Sequence, residues 1–150
     1  MKIPLSKPIF TEEMKDAAVD ALQNEFFVLG ESVYKFEEDF AKYIGTKYAI
    51  AVNSGTSALA LSLIALGVKN ADKVLTTPMS FIATANAIIH SNGVPVFSDI
   101  ENNTGNMDTT MIENRIERVK GIIPVHLYGN PCKINEIMKF KEKGLFVVED

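Results

Sequence analysis

The stretch "YAIAVNSGTSALALSLIALG", Tyr48 to Gly67, breaks a run of strand-forming residues at Asn-Ser-Gly-Thr-Ser and resumes at once in an Ala/Leu-rich helical pattern. With Ser54 or Asn53 as N-cap, the backbone N–H groups of Gly55, Thr56 and Ser57 point out of the first turn toward one spot. Glycine lets the backbone come close to a ligand, and the hydroxyls of Thr56 and Ser57 add donors. The helix dipole favours an anion there by roughly 0.3–1 kcal/mol, rising to ~2 kcal/mol when the site is partly buried. A phosphate suits that chemistry, although a capped helix with no ligand uses the same residues.

Other chemistry-bearing side chains also fall where strands end. "TTPMSFIATANAI" puts Pro78 directly after a strand and Phe81 near the start of the next helix, where an aromatic ring could lie flat on a planar ligand or join the core. In "GLFVVED" the acids Glu149 and Asp150 alternate along a strand, so only one of them can look into a given site. A carboxylate so placed could grip a metal, cap a helix, pair with a protonated ring nitrogen or sit solvated at the sheet edge. His126 in "PVHLYG" and Asp99 in "VFSDI" also fall at strand ends and receive no catalytic assignment. Cys132 follows Pro131 and has no metal-ligand spacing around it, so no metal is expected.

These residues need elements to position them. Met14, Ala17, Ala18, Ala21 and Leu22 have helical spacing, with Thr11 as N-cap and Glu12 and Glu13 in the first turn. A second helix carries the apolar stripe Val33, Phe36, Phe40, Tyr43 and Ile44, whose aromatics are expected as core, and stops at Gly45. From Lys47 the pattern alternates. Strands are expected at 48–53, 73–77, 95–99, 121–125 and 145–149, and helices at 56–66, 81–90, 109–117 (capped by Asp108) and 134–142. Such βα units predict an α/β fold, a mostly parallel sheet flanked by helices. Residues 1–46 then form an N-terminal helical segment and 47–150 the βα repeats.

Composition narrows the partners. The 150 residues are 47% hydrophobic and carry a net charge of -4, which suits a packed domain and argues against a broad basic surface for nucleic acid or anionic lipid. The single cysteine fits a reducing compartment. "MKIPLSKPIF" lacks a signal-peptide core, and no run of eighteen apolar residues occurs. A cytoplasmic protein with a small-molecule ligand and no membrane partner is expected. Neither G-x-x-x-x-G-K-[ST] nor G-x-G-x-x-G is present, which weakens the alternative of an α/β nucleotide-binding protein using "LFVVED" as a metal-binding strand.

Taken in order, "GESVYKFEEDFAKYIG", "NSGTSAL", "TTPMSFIATANAI", "GVPVFSDI", "GIIPVHLYGNP" and "VVED" resemble the sugar aminotransferases of the DegT/DnrJ/EryC1/StrS type. The resemblance implies the aspartate aminotransferase-like fold (fold type I) in its large domain, truncated at residue 150. It also implies pyridoxal 5'-phosphate (PLP) as cofactor, a nucleotide-linked keto-sugar as substrate, glutamate as amino donor, and a cytoplasmic homodimer in amino-sugar or surface polysaccharide biosynthesis. On this resemblance Gly55, Thr56 and Ser57 hold the cofactor phosphate, Phe81 stacks on the pyridine ring and Asp150 pairs with the ring nitrogen.

The Schiff-base lysine of such enzymes falls after the "ED" motif, beyond Asp150, and no lysine here matches it. The resemblance therefore implies a 150-residue chain without transaminase activity of its own. Relatives with histidine in place of that lysine remove a sugar hydroxyl instead, so a dehydratase remains an alternative. A non-catalytic regulatory or binding relative is another.

Overall fold

The computed structural model describes Pro4, residues 6–116 and residues 119–150, in two units, Met1–Ala51 and Val52–Asp150. The first unit holds α1 (Glu12–Asn24) and α2 (Glu31–Ile44). Thr11 caps α1 as expected, its Oγ1 accepting from the Met14 N–H at 3.2 Å. Gly45 ends α2 in the left-handed region at φ 79°, where a Cβ would be disfavoured.

Two expectations fail in this unit. The stripe of α2 is not core: Phe36, Phe40, Tyr43 and Ile44 are exposed, Val33 is half-buried, and Ala41 alone in the helix is buried. Among its described residues the unit contains no strand, and the two phenylalanines pack on each other, with ring centroids 5.6 Å apart. Nor do residues 48–53 form a strand. Backbone groups there turn to side chains instead, with the Ala51 N–H donating to Glu37 Oε1 at 2.7 Å and the Tyr48 carbonyl accepting from Thr46 Oγ1 at 3.1 Å.

The second unit contains the sheet. It comprises α3 (Gly55–Ala65), β1 (Lys73–Thr76), α4 (Ala83–His90), β2 (Val94–Phe97), β3 (Val119–Ile122), α5 (Ile134–Ile137) and β4 (Phe146–Val147). All pairings are parallel, in the order β2-β1-β3-β4, as the βα pattern predicts. Neighbouring strand residues point to opposite faces. Val74 and Ile123 join Leu59, Leu63, Ala87 and Ile88 under α3 and α4, while Leu75 and Ile122 join Met107, Ile112, Ile137 and Phe140 on the other face. Between β3 and β4 the approach is close: a Cβ on Gly121 would lie 2.1 Å from the Phe146 ring.

Some expected elements are shorter. The helix expected at 109–117 is a 3-10 turn at Thr109–Met111, and Glu117 lies outside the described residues. Its backbone bonds are i to i+3, and Thr109, Thr110, Ile112 and Asn114 are weak helix formers. Asp108 still caps it, Oδ1 accepting from the Thr110 N–H at 2.9 Å. The helix at 134–142 is α only to Ile137, then 3-10 to Lys143.

Asp72 ties the turn before β1 to β3. Its Oδ2 accepts from Lys120 Nζ and from the Lys69 N–H, both at 2.7 Å, and Lys120 also donates to the Gly67 carbonyl. The Lys120 ammonium, then the Lys69 N–H, hold the Asp72 carboxyl below its ordinary pKa. The contribution of this contact to stability is complete above the unfolded carboxylate value and is lost as pH falls through the lower folded one. Asp72→Asn should therefore lower the melting temperature at neutral pH, and the gap from wild type should close as pH is taken below about 3.9 in calorimetry.

Candidate functional site

In the second unit the chain leaves β1 toward β2 on one side, while β3 lies on the other side of β1, so the strand order reverses at β1. Loops leaving the carboxyl ends of β1 and β3 diverge there, and open α/β sheets form their ligand crevice at such a point. A cavity of about 510 Å³ occupies it, between the start of α3, the β1–α4 segment, the segment after β3 and the end of the chain.

Gly55, Thr56, Phe81 and Asp150 all lie on its wall. Ser54 is the N-cap of α3, its Oγ accepting from the Ser57 N–H at 3.1 Å and lying 3.0 Å from Ser57 Oγ. The first helical bond is Ala58 N–H to the Ser54 carbonyl at 3.0 Å. The N–H groups of Gly55 and Thr56 therefore have no partner within the helix. Ser57 is committed to the cap and is not on the cavity wall. Space beside Gly55 is open: apart from its chain neighbours and the backbone of its own helix, nothing lies within 4 Å of where a Cβ would be. Phe81 precedes α4 rather than lying within it, and the residue is 79% exposed.

Asp150 is set by backbone pairing that continues past β3 and β4. Its N–H donates to the Pro124 carbonyl at 3.0 Å, and its carbonyl accepts from the His126 N–H at 2.9 Å. Asp150 Oδ2 accepts from Thr84 Oγ1 at 2.5 Å, and Thr84 Oγ1 lies 2.8 Å from Ser80 Oγ. A carboxylate only accepts, so the Thr84 proton goes to Asp150 and the Ser80 hydroxyl donates to Thr84. Glu149 diverges from Asp150, as strand alternation requires, and reaches His126 Nε2 at 3.0 Å.

His126 is on the wall with both ring nitrogens engaged. Its Nδ1 accepts from the Cys132 N–H at 3.0 Å, so the proton of the neutral ring sits on Nε2, facing Glu149. Burial pushes the Cys132 thiol up from its ordinary pKa, and Sγ donates to the Val125 carbonyl at 3.0 Å, which is the behaviour of a core residue. Asp99 is not on the wall, and its Oδ1 accepts from the Ile100 N–H at 2.8 Å.

The model of the DegT/DnrJ/EryC1/StrS aminotransferase family matches residues 8–150. The chain belongs to this family. The family member SpsC of Bacillus subtilis, a spore coat polysaccharide biosynthesis protein, is 40% identical over 99% of this chain, which spans 39% of that protein. A solved aminotransferase from Psychrobacter cryohalolentis superposes with a TM-score of 0.90 at 38% identity, over 98% of this chain and 38% of its own. The GDP-4-keto-6-deoxy-D-mannose-3-dehydratase of E. coli, solved with hydrated PLP, superposes with a TM-score of 0.92 at 29% identity, over 99% of this chain and 40% of its own. The sheet and flanking helices of the second unit are thus a portion of the fold of these larger enzymes.

Sequence reasoning missed Ser80 and Thr84. The signal was present, because Ser80 and Thr84 are four residues apart beside Phe81, which brings both hydroxyls to one side of the helix start. It also missed Leu127 and Tyr128, which line the wall from a turn at Leu127–Gly129. Thr84 is buried and Ser80 half-buried, so the two hydroxyls differ in what replaces them when removed. Thr84→Val should lower unfolding stability by about 1 kcal/mol, and Ser80→Ala by less because water can substitute. Urea titrations of Thr84→Val, Asp150→Asn and the double variant should give losses that are less than additive.

Proposed function

We propose that this chain forms the PLP-holding part of an aminotransferase acting on a nucleotide-linked keto-sugar, with glutamate as amino donor. The reading rests on one observation: the two unclaimed N–H groups at the start of α3, the exposed Phe81 ring and the Asp150 carboxylate converge on one cavity.

The donor set fits the cofactor. Gly55 and Thr56 offer backbone N–H groups to the dianionic phosphate, the open space beside Gly55 admits its oxygens, and the helix dipole favours the charge. The Ser57 hydroxyl, which accepts from Ser54 Oγ and keeps its own proton to donate, is the third donor of this reading. Phe81 supplies a flat apolar face for the pyridine ring. Asp150, fixed on one side by the Thr84 hydroxyl and by its own backbone bonds, accepts from the ring N–H and keeps that proton on the nitrogen. Once bound, the protonated pyridine is the electron sink that takes up charge formed at the substrate carbon. His126, held in one tautomer by Cys132 and Glu149, closes the wall beside these groups.

In this reading the chain works within a longer cytoplasmic homodimer of amino-sugar or surface polysaccharide biosynthesis. The lysine that carries the cofactor lies outside residues 1–150. The likeness to the E. coli dehydratase keeps removal of a sugar hydroxyl as a second reading, because the same cavity residues would serve both reactions. Appearance or absence of the amino group in the product separates them.

Titration with PLP, followed by the absorbance of bound cofactor, tests the site without turnover. Wild type should bind PLP at least about tenfold more tightly than pyridoxal, which lacks the phosphate, because each hydrogen bond to a charged group is worth ~1.5–3 kcal/mol. Asp150→Asn should preserve that phosphate preference and strongly slow amino transfer by the complete enzyme. Equal binding of PLP and pyridoxal would remove the basis of the reading.

A further inference from the structure

The turn that follows His126 has a feature the cofactor does not account for. Tyr128 has φ 55° and ψ 26°, a left-handed conformation that a bulky L-residue seldom adopts. Among the described residues the other non-glycine positions with positive φ are Leu29, Ala71 and Asn92, so Tyr128 is the one aromatic in this set and the one on the cavity wall. The residue is 94% exposed, so no packing offsets the strained backbone. For stability alone, glycine would serve better at this position.

The strain is imposed from outside the turn. Asn106 is 3% exposed and grips the turn at two places: its Oδ1 accepts from the Leu127 N–H at 3.2 Å, and its Nδ2 donates to the Asn130 carbonyl at 2.9 Å. Within the turn the Gly129 N–H reaches the His126 carbonyl and the Asn130 N–H reaches the Leu127 carbonyl, both at 3.0 Å. The preceding residue, Gly105, has φ 71°, and a Cβ there would stand 2.9 Å from Leu127 Cδ2, so the loop bearing Asn106 is shaped to seat the turn. A buried amide spent wholly on holding an exposed tyrosine at a cavity points to a use for the tyrosine.

We propose that Tyr128 is the substrate-contact residue that receives the sugar ring, and that Asn106 is the positioning residue holding it at the cavity. The inference rests on the function proposed above and deepens it. In that reading the α3 start, Phe81 and Asp150 are taken by the phosphate, face and nitrogen of the cofactor. Tyr128, the most exposed residue on the wall with an aromatic ring, is left to meet what enters next. A pyranose has a face of C–H groups bordered by hydroxyls, and a phenol offers both a flat apolar surface and a hydrogen-bonding oxygen.

The test uses the chain loaded with PLP and, as probes, UDP-N-acetylglucosamine and GDP-mannose, with UDP and GDP as sugar-free controls in calorimetric titration. Tyr128→Gly should melt at or above the wild-type temperature, because glycine relieves the backbone. It should keep PLP affinity within about twofold and lose at least about tenfold in affinity for the better-bound sugar nucleotide, with no change for UDP or GDP. Tyr128→Phe should retain most of the probe affinity, and Asn106→Leu should lose it as Tyr128→Gly does while keeping PLP. A lower melting temperature for Tyr128→Gly with unchanged probe binding would assign the ring a structural role and overturn the inference. Equal losses for probe and sugar-free control, or a PLP-loaded wild type that takes neither probe, would overturn it too. A wild type that shows no preference for PLP over pyridoxal instead defeats the function on which the inference stands, and the inference falls with it.

Discussion

Backbone pairing between the segments after β3 and after β4 sets Asp150, His126 and the turn that follows at the cavity. The Val148 N–H donates to Ile122, the Asp150 N–H donates to Pro124, and the Asp150 carbonyl accepts from the His126 N–H, all within 2.9–3.0 Å. These bonds carry the parallel ladder past the point where β3 and β4 formally end. Proline has no N–H to give, so Pro124 takes part only as an acceptor, and the ladder tolerates it because that is the role its position requires. The close seat of Phe146 on Gly121 keeps the two strands in register beneath this extension. One register therefore sets Asp150, His126 and the start of the Leu127–Gly129 turn together. A slip of one residue would send the Asp150 side chain to the opposite face and put Glu149 in its place.

Two further anchors join the rest of the sheet edge to that register. Thr76 Oγ1 donates to the Ile123 carbonyl at 2.9 Å, and Thr84 Oγ1 donates to Asp150, so both ends of the β1–α4 connection are bonded to the β3–β4 side. Thr76 and Thr84 are both buried, and a buried hydroxyl without a partner would be costly. Each thus specifies a position as well as contributing to stability. Phe81 lies between them in sequence and needs no packing of its own to be held in place. This explains how a residue 79% exposed can still have a defined location on the wall.

How much of this could be read from residue order follows from what each signal depends on. The βα alternation, the Thr11, Ser54 and Asp108 caps and the Gly45 stop depend on local chemistry, and the structure forms them. Gly55, Thr56, Phe81 and Asp150 were legible because each stands where a strand gives way to a helix or ends, and parallel sheets bring such ends to one edge. Alternation at Tyr48, Ile50 and Val52 reads as a strand, but alternation supplies no partner, and the backbone bonds to Glu37 and Thr46 settle the matter. Helical spacing in α2 likewise names an apolar face without naming what covers it. Asn106 and Tyr128 were illegible for a stronger reason. Nothing local marks a buried asparagine as the clamp of a turn 21 residues away, or a tyrosine beside Gly129 as the residue taking the positive φ.

The two ends of the cavity are built on different principles. At the α3 end the donors are backbone N–H groups, so their presentation needs little from side chains beyond a small residue at Gly55 and a cap at Ser54. At the Tyr128 end the backbone is held by Asn106 through Leu127 and Asn130, and neither bond involves the side chain at position 128. The clamp fixes where that side chain stands without fixing what it is. One end is therefore constrained to a single chemistry, that of hydrogen-bond donors, by the geometry of a helix terminus. The other presents an exposed side chain whose size and polarity could change without disturbing the turn, the sheet register or the start of α3. The α3 end is thus set by backbone geometry and the Tyr128 end is left variable in its side chain, and the cost of that arrangement is the strained backbone at Tyr128.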